Sequence, residues 1–117
     1  MIDFKVETQL LSDETRVVSV SGELDMYTAP SFKEQIHEAL NNGHTRIVVD
    51  LSACEFLDST ALGILLTANK HLSEQNGRLV LVAADRDVVK VFQITGLDRV
   101  FTIVPTRASA LNGAIHG

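Results

Sequence analysis

Residues 47–72 read IVVDLSACEFLDSTALGILLTANKHL, and this stretch decides the fold. It opens on Ile47, Val48 and Val49, a β-branched apolar run suited to a buried strand. The run stops at Asp50-Leu51-Ser52, and a short connection follows. From Asp58 the spacing changes. Leu62, Leu65, Leu66, Asn69 and Leu72 recur at helical intervals and make one apolar stripe. Asp58 and Ser59 are both suited to cap that helix. A serine hydroxyl is therefore expected at a helix N-terminus, just past the C-terminal end of a buried strand.

That placement has chemical consequences. The first N–H groups of a helix lack intrahelical partners, and the macrodipole favours negative charge there. A phosphate on Ser59 is compatible with such an end. The plainer reading, that Asp58 and Ser59 only cap the helix, holds at most helix starts. Local sequence leaves both open.

Outward from this stretch the pattern is regular. Ile2, Phe4, Val6, Thr8 and Leu10 alternate with Asp3, Lys5, Glu7 and Gln9, a half-exposed strand with charges on its open face. Ser12-Asp13-Glu14-Thr15 is a turn cluster, and Val17, Val18 and Val20 make a second strand paired to the first as a hairpin. Gly22 to Tyr27 reads as a loop. Pro30 fits the first turn of a helix that buries Phe32, Ile36 and Leu40 and ends at Asn41-Asn42-Gly43. Asn76-Gly77 closes the central helix. Leu79 to Ala83 is apolar on both faces, like Ile47 to Val49, so helices should cover both sides of these strands. Strands joined by a helix of this length should run parallel. Asp85 or Asp87 starts a short helix with Val88, Val91 and Phe92 inward, ended by Gly96. Phe101, Ile103 and Val104 form a last short strand. Pro105-Thr106 introduces a terminal helix with Ala110, Leu111 and Ala114 on its apolar side. The result is an α/β fold: a mixed sheet of about five strands with about four helices.

Composition narrows the function. At 117 residues one domain, 1–117, is expected. Net charge is −5, without a Lys/Arg cluster and without tryptophan, so direct nucleic-acid binding through a basic patch is not expected. No apolar run approaches the roughly 20 residues of a membrane span, and MIDFKVETQL has no signal-peptide pattern. A cytoplasmic protein without membrane insertion is expected. Cys54 is alone, which excludes an intrachain disulfide, and reads as a small packed residue. His37, His44, His71 and His116 lack metal-ligand spacing and are assigned to the surface. No phosphate-binding glycine loop and no nucleophile elbow occur. No histidine is placed to activate Ser59, so catalysis, a cofactor or a bound metal is not expected.

Two loops concern the candidate site. If the second, third and fourth strands are parallel, their C-terminal ends share one edge, where partners of open α/β sheets tend to bind. Asp25 then lies near Asp58 and Ser59. Asp25 is either a turn residue or part of that surface. Met26 and Tyr27 follow it, either as an interface anchor or as a lid on the core. Thr60 offers a second hydroxyl.

The segment DLSACEFLDSTALGILL resembles the signature of the STAS domain, in particular that of bacterial anti-sigma factor antagonists. The matching residues are Asp50-Leu51-Ser52, Asp58-Ser59 and Leu62-Gly63, with Gly22-Glu23-Leu24-Asp25 upstream. A weaker match is Ile94-Thr95-Gly96-Leu97 with Val100-Phe101. Ala61 departs from the glycine common in the family. The resemblance covers nearly the whole chain and implies the same mixed sheet. It implies a phosphoprotein that acts by partner switching in sigma-factor control of transcription and stress response. The unphosphorylated form binds an anti-sigma factor serine kinase and frees the sigma factor. Phosphorylation on Ser59 ends the binding, and a serine phosphatase resets it. Asp25, Met26, Tyr27, Asp58, Ser59 and Thr60 are the expected partner-binding residues. The alternative within the family is a STAS interaction subunit without phosphate chemistry, in a lipid-transporter or stress-sensing complex. A phosphoaspartate receiver fits poorly, since Asp25 lacks an acidic neighbour and Val104-Pro105-Thr106 lacks a lysine.

Overall fold

β1 (Lys5–Leu10) and β2 (Thr15–Leu24) form the expected antiparallel hairpin, with Val6 opposite Val20 and Leu10 opposite Arg16. Ser12 Oγ closes the turn by accepting the N–H groups of Glu14 and Thr15. The structure, a computed structural model, describes residues 3–116 and the side chains of residues 3–112. Ile2 and the side chains of Ala114 and His116, named above, lie outside the described residues.

The chain continues through α1 (Ala29–Asn41), β3 (Arg46–Leu57), α2 (Ser59–Glu74), β4 (Arg78–Val82) and α3 (Arg86–Thr95). A 3-10 turn at Leu97–Arg99, β5 (Thr102–Val104) and α4 (Arg107–His116) complete it. The sheet order is β1-β2-β3-β4-β5, with β2 to β5 all parallel. Each crossover steps one strand in the same direction. Right-handed crossovers of that kind put α1, α2 and α3 on one face of the sheet. The larger core lies there, with Phe32, Ile36, Leu65, Leu72 and Phe92 packed on Val18, Val20, Ile47, Val49 and Leu81. On the other face Ala110 of α4 covers Val17, Val48, Val80 and Val82.

Several local expectations change. β1 is an edge strand exposed on both sides apart from half-buried Val6. β2 runs on to Leu24, through much of the expected loop. β3 does not stop at Asp50 but continues to Leu57. Its pairing with β4 ends at Asp50–Val82, while its pairing with β2 runs on to Leu24–Leu57. Between these points β3 carries extra residues against β2, at the register shifts Ser19/Ser21 and Gly22/Glu23. Such bulges bend a strand and break its alternation. In α2, Leu66 is exposed, and Ala61 and Ala68 complete the buried stripe with Leu62, Leu65 and Leu72. In α1, Ala39 is buried and Leu40 only half-buried. His44 is buried, not on the surface. Its Nδ1 lies 3.1 Å from the Ala39 carbonyl oxygen. A carbonyl only accepts, so Nδ1 carries the proton.

Candidate functional site

The bulged segment of β3 positions the site. Beyond Asp50 β3 keeps its pairing with β2 after that with β4 has ended, and the two continue as a two-stranded ribbon whose Leu24, Leu51, Cys54 and Leu57 stay in the core. At the tip, Leu24 pairs with Leu57, and the Asp58 N–H donates to the Leu24 carbonyl oxygen at 3.2 Å. Asp25 and Asp58 each follow directly on these paired residues. The structure thus brings the two aspartates, Ser59 and Thr60 to one edge, as parallel strands required.

Each aspartate organises its own backbone. Asp25 Oδ1 accepts the N–H groups of Tyr27 (2.9 Å) and Thr28 (3.1 Å). Thr28 Oγ1 in turn accepts the Asp25 N–H at 2.9 Å and donates to the Glu23 carbonyl oxygen at 2.8 Å. This reciprocal turn leads into α1. Asp58, in extended conformation, is the N-cap of α2, and its Oδ1 accepts from the N–H groups of Thr60 (3.0 Å) and Ala61 (3.3 Å). Ser59 is therefore the first helical residue rather than the cap, and its side chain is exposed, as is that of Thr60.

The N–H groups at the start of α2, with which a phosphate on Ser59 is compatible, are partly engaged in the structure. The Asp58 carboxylate occupies two of those donors. A negative group already sits at the positive end of the helix.

Met26 and Tyr27 do not fold back as a lid. They are 63% and 85% exposed, an extent uncommon for side chains of this size. Phe56, on the ribbon one residue before Leu57, is also exposed. The sequence reading missed it, because Phe56 belongs to the stretch taken as a connection. Its only available signal was a large aromatic directly before Leu57-Asp58-Ser59.

The remaining candidates have structural explanations. Cys54 is buried in β3 and donates to the Phe56 carbonyl oxygen at 3.2 Å. Burial pushes its thiol above the usual value, which disfavours the reactive thiolate. His37 and His71 are exposed. Among the described residues no three His, Cys, Asp or Glu side chains are placed to hold a metal ion, and no helix is long and apolar enough to cross a membrane.

Comparison with known proteins agrees with this geometry. The family model of the STAS domain matches residues 7–110. The anti-sigma-F factor antagonist RsfB of Mycobacterium tuberculosis is 35% identical over 86% of this chain and 82% of its own length. The crystal structure of an anti-sigma factor antagonist from Mycobacterium paratuberculosis superposes with a TM-score of 0.87 at 35% identity, covering 96% of this chain and 94% of that one. The phosphorylated form of SpoIIAA, a Bacillus cell fate determinant, superposes with a TM-score of 0.70 at 27% identity, covering 94% and 97%. The chain belongs to the STAS domain family, among the bacterial anti-sigma factor antagonists.

Proposed function

We propose that this protein is the phosphorylatable arm of a cytoplasmic partner switch. Unphosphorylated, it binds an anti-sigma factor that is also a serine kinase, and the sigma factor is released. The kinase transfers the ATP γ-phosphoryl group to the Ser59 hydroxyl, binding ends, and a serine phosphatase restores the hydroxyl. The chain acts as one domain and is substrate and ligand, not enzyme. The observation that carries this reading is the exposed Ser59 hydroxyl at the first position of α2. Met26, Tyr27 and Phe56 stand exposed at the same end of the β2–β3 ribbon. The existence of a phosphorylated form of the similar SpoIIAA supports it.

The physical basis is charge. Phosphorylation adds about −1.5 to −2 charges and three acceptor oxygens. Asp58 is the adjoining residue, and its carboxylate already holds the Thr60 and Ala61 N–H groups. The phosphate therefore stays in solvent in the free protein and meets desolvation and repulsion only when a partner covers it. A penalty of about 3–4 kcal/mol lowers affinity by roughly two to three orders of magnitude. The fold has no need to change.

The test is to incubate the protein with the anti-sigma factor kinase of the same organism and ATP, and to map the product by mass spectrometry. Ser59 is the expected site, and Ser59→Ala should abolish the modification while retaining kinase binding. Ser59→Asp should bind weakly. Undiminished modification of Ser59→Ala, on Thr60 or elsewhere, would refute the assignment.

A further inference from the structure

Gly63 lies inside α2, and a Cβ placed there would meet nothing within 4 Å. Its φ is not in the left-handed region, so the backbone does not require glycine. Gly77 is the contrast, since its Cβ would stand 2.6 Å from the Thr45 carbonyl oxygen. Glycine within a helix sacrifices backbone entropy relative to alanine. Among the described residues nothing stands within 4 Å of where a Cβ at this position would lie, so packing gives no reason for the loss.

Gly63 follows Ser59 by four residues, so the two share one face of α2. Beside that face runs a groove of about 500 Å³ between α1 and α2. Lys33, Ile36 and Leu40 line it from α1, and Thr60, Gly63 and Ile64 from α2. Lys33 is exposed and has no ion pair among the described residues. We propose that the kinase which reaches Ser59 continues along this groove, passing its main chain over Gly63 and setting a carboxylate against Lys33. This rests on the reading of Ser59 given above.

A kinase must cover the surface around the hydroxyl it modifies. On α2 that surface leads to Gly63, where the missing side chain lets a partner approach the helix backbone closely. Half-buried Leu40 and Ile64 supply apolar contact, and Lys33 is an open cation on a protein of net charge −5. Interfaces match such charges with their opposites.

The test uses Gly63→Ala, Gly63→Gln and Lys33→Glu with the purified anti-sigma factor kinase of the same organism. Gly63→Ala should raise Tm by about 4 °C, because alanine is the better helix former. The same variant should weaken kinase binding by about 10-fold or more, and Gly63→Gln further. Lys33→Glu should leave Tm unchanged and weaken binding by roughly 5-fold, chiefly at low salt. Unchanged affinity of both Gly63 variants, with normal phosphorylation of Ser59, overturns the groove and leaves the switch intact. A wild-type protein that the kinase neither binds nor phosphorylates overturns both.

Discussion

The Asp58 N–H donates to the Leu24 carbonyl oxygen at 3.2 Å. That bond adds a rung beyond the Leu24–Leu57 pair and ties the turn of Asp25 to the cap of α2. Two segments distant in sequence thus form one surface, joined by backbone hydrogen bonds. Crevices in open α/β sheets form where the strand order reverses. Here it runs from β1 to β5 without reversal. Without such a switch point, this edge presents exposed Met26, Tyr27 and Phe56 near Ser59.

Asp58 has two roles that substitution separates. Asp58→Ala removes the cap bonds to Thr60 and Ala61 and should cost about 1 kcal/mol in urea denaturation. Asp58→Asn keeps a good cap and should stay within a few tenths of a kcal/mol of wild type. Asp58→Asn also deletes the charge adjoining Ser59. The ratio of kinase affinities between unphosphorylated and phosphorylated protein should then narrow by roughly 3- to 10-fold. Isothermal titration of both forms measures it, and an unchanged ratio would exclude Asp58 from the electrostatic switch.

Tyr27 and Met26 should matter for docking and not for folding. Tyr27 donates its backbone N–H to Asp25 and leaves its ring in solvent. Tyr27→Ala should change stability by less than about 0.5 kcal/mol. If the ring is an anchor, the same change should cost about 1–3 kcal/mol of kinase binding. Phe56→Ala should behave alike. Full affinity in both variants would place the contact elsewhere.

The sequence reading succeeded where periodicity and cap chemistry were clean. Val18 and Val20, Ile47 to Val49 and the Leu62–Leu65–Leu72 stripe each kept one period along their element, and these are the buried residues observed. Asp58 read as a cap because nothing apolar separates it from the helix. β3 beyond Asp50 was illegible because its extra residues shift the register against β2 and erase the alternation. Phe56 was lost with it. His44 failed for a different reason. Its polarity suggests solvent, but the bond to the Ala39 carbonyl oxygen satisfies Nδ1 inside. Such a pairing depends on where α1 ends, which the side chain alone does not encode. Leu66 exceeded the stripe because Ala61 and Ala68, small and easily overlooked, occupy the inward positions.

Acid should act through Asp50, on the face of the sheet opposite α1 to α3. Asp50 Oδ2 accepts from Arg107 Nε (3.1 Å) and Nη2 (2.8 Å), while Oδ1 accepts the Ser52 N–H at 2.9 Å and the Ser52 hydroxyl. Arg107 Nη2 also donates to Ser19 Oγ at 2.8 Å, so the first residue of α4 is fastened to both β2 and β3. Burial by itself pushes the Asp50 carboxyl up, but the Ser52 bonds and Arg107 together outweigh it, and the net shift is below the usual carboxylate value. A carboxylate whose pKa falls on folding contributes its full stability above the unfolded value, near ~4, and loses it as pH falls through the folded value. Asp50→Asn should therefore cost about 1–2 kcal/mol at pH 7, a difference that shrinks below pH ~4. Arg107 is 40% exposed, so solvent screens its share and Arg107→Ala should cost less, about 1 kcal/mol. Among the described residues Ala110 and half-buried Leu111 also seat α4 on this face. Arg107→Ala should accordingly speed amide exchange across residues 107–112 before it affects β3 or β4. Parallel acid-denaturation profiles for wild type and Asp50→Asn would show that this ion pair does not set the acid limit of the fold.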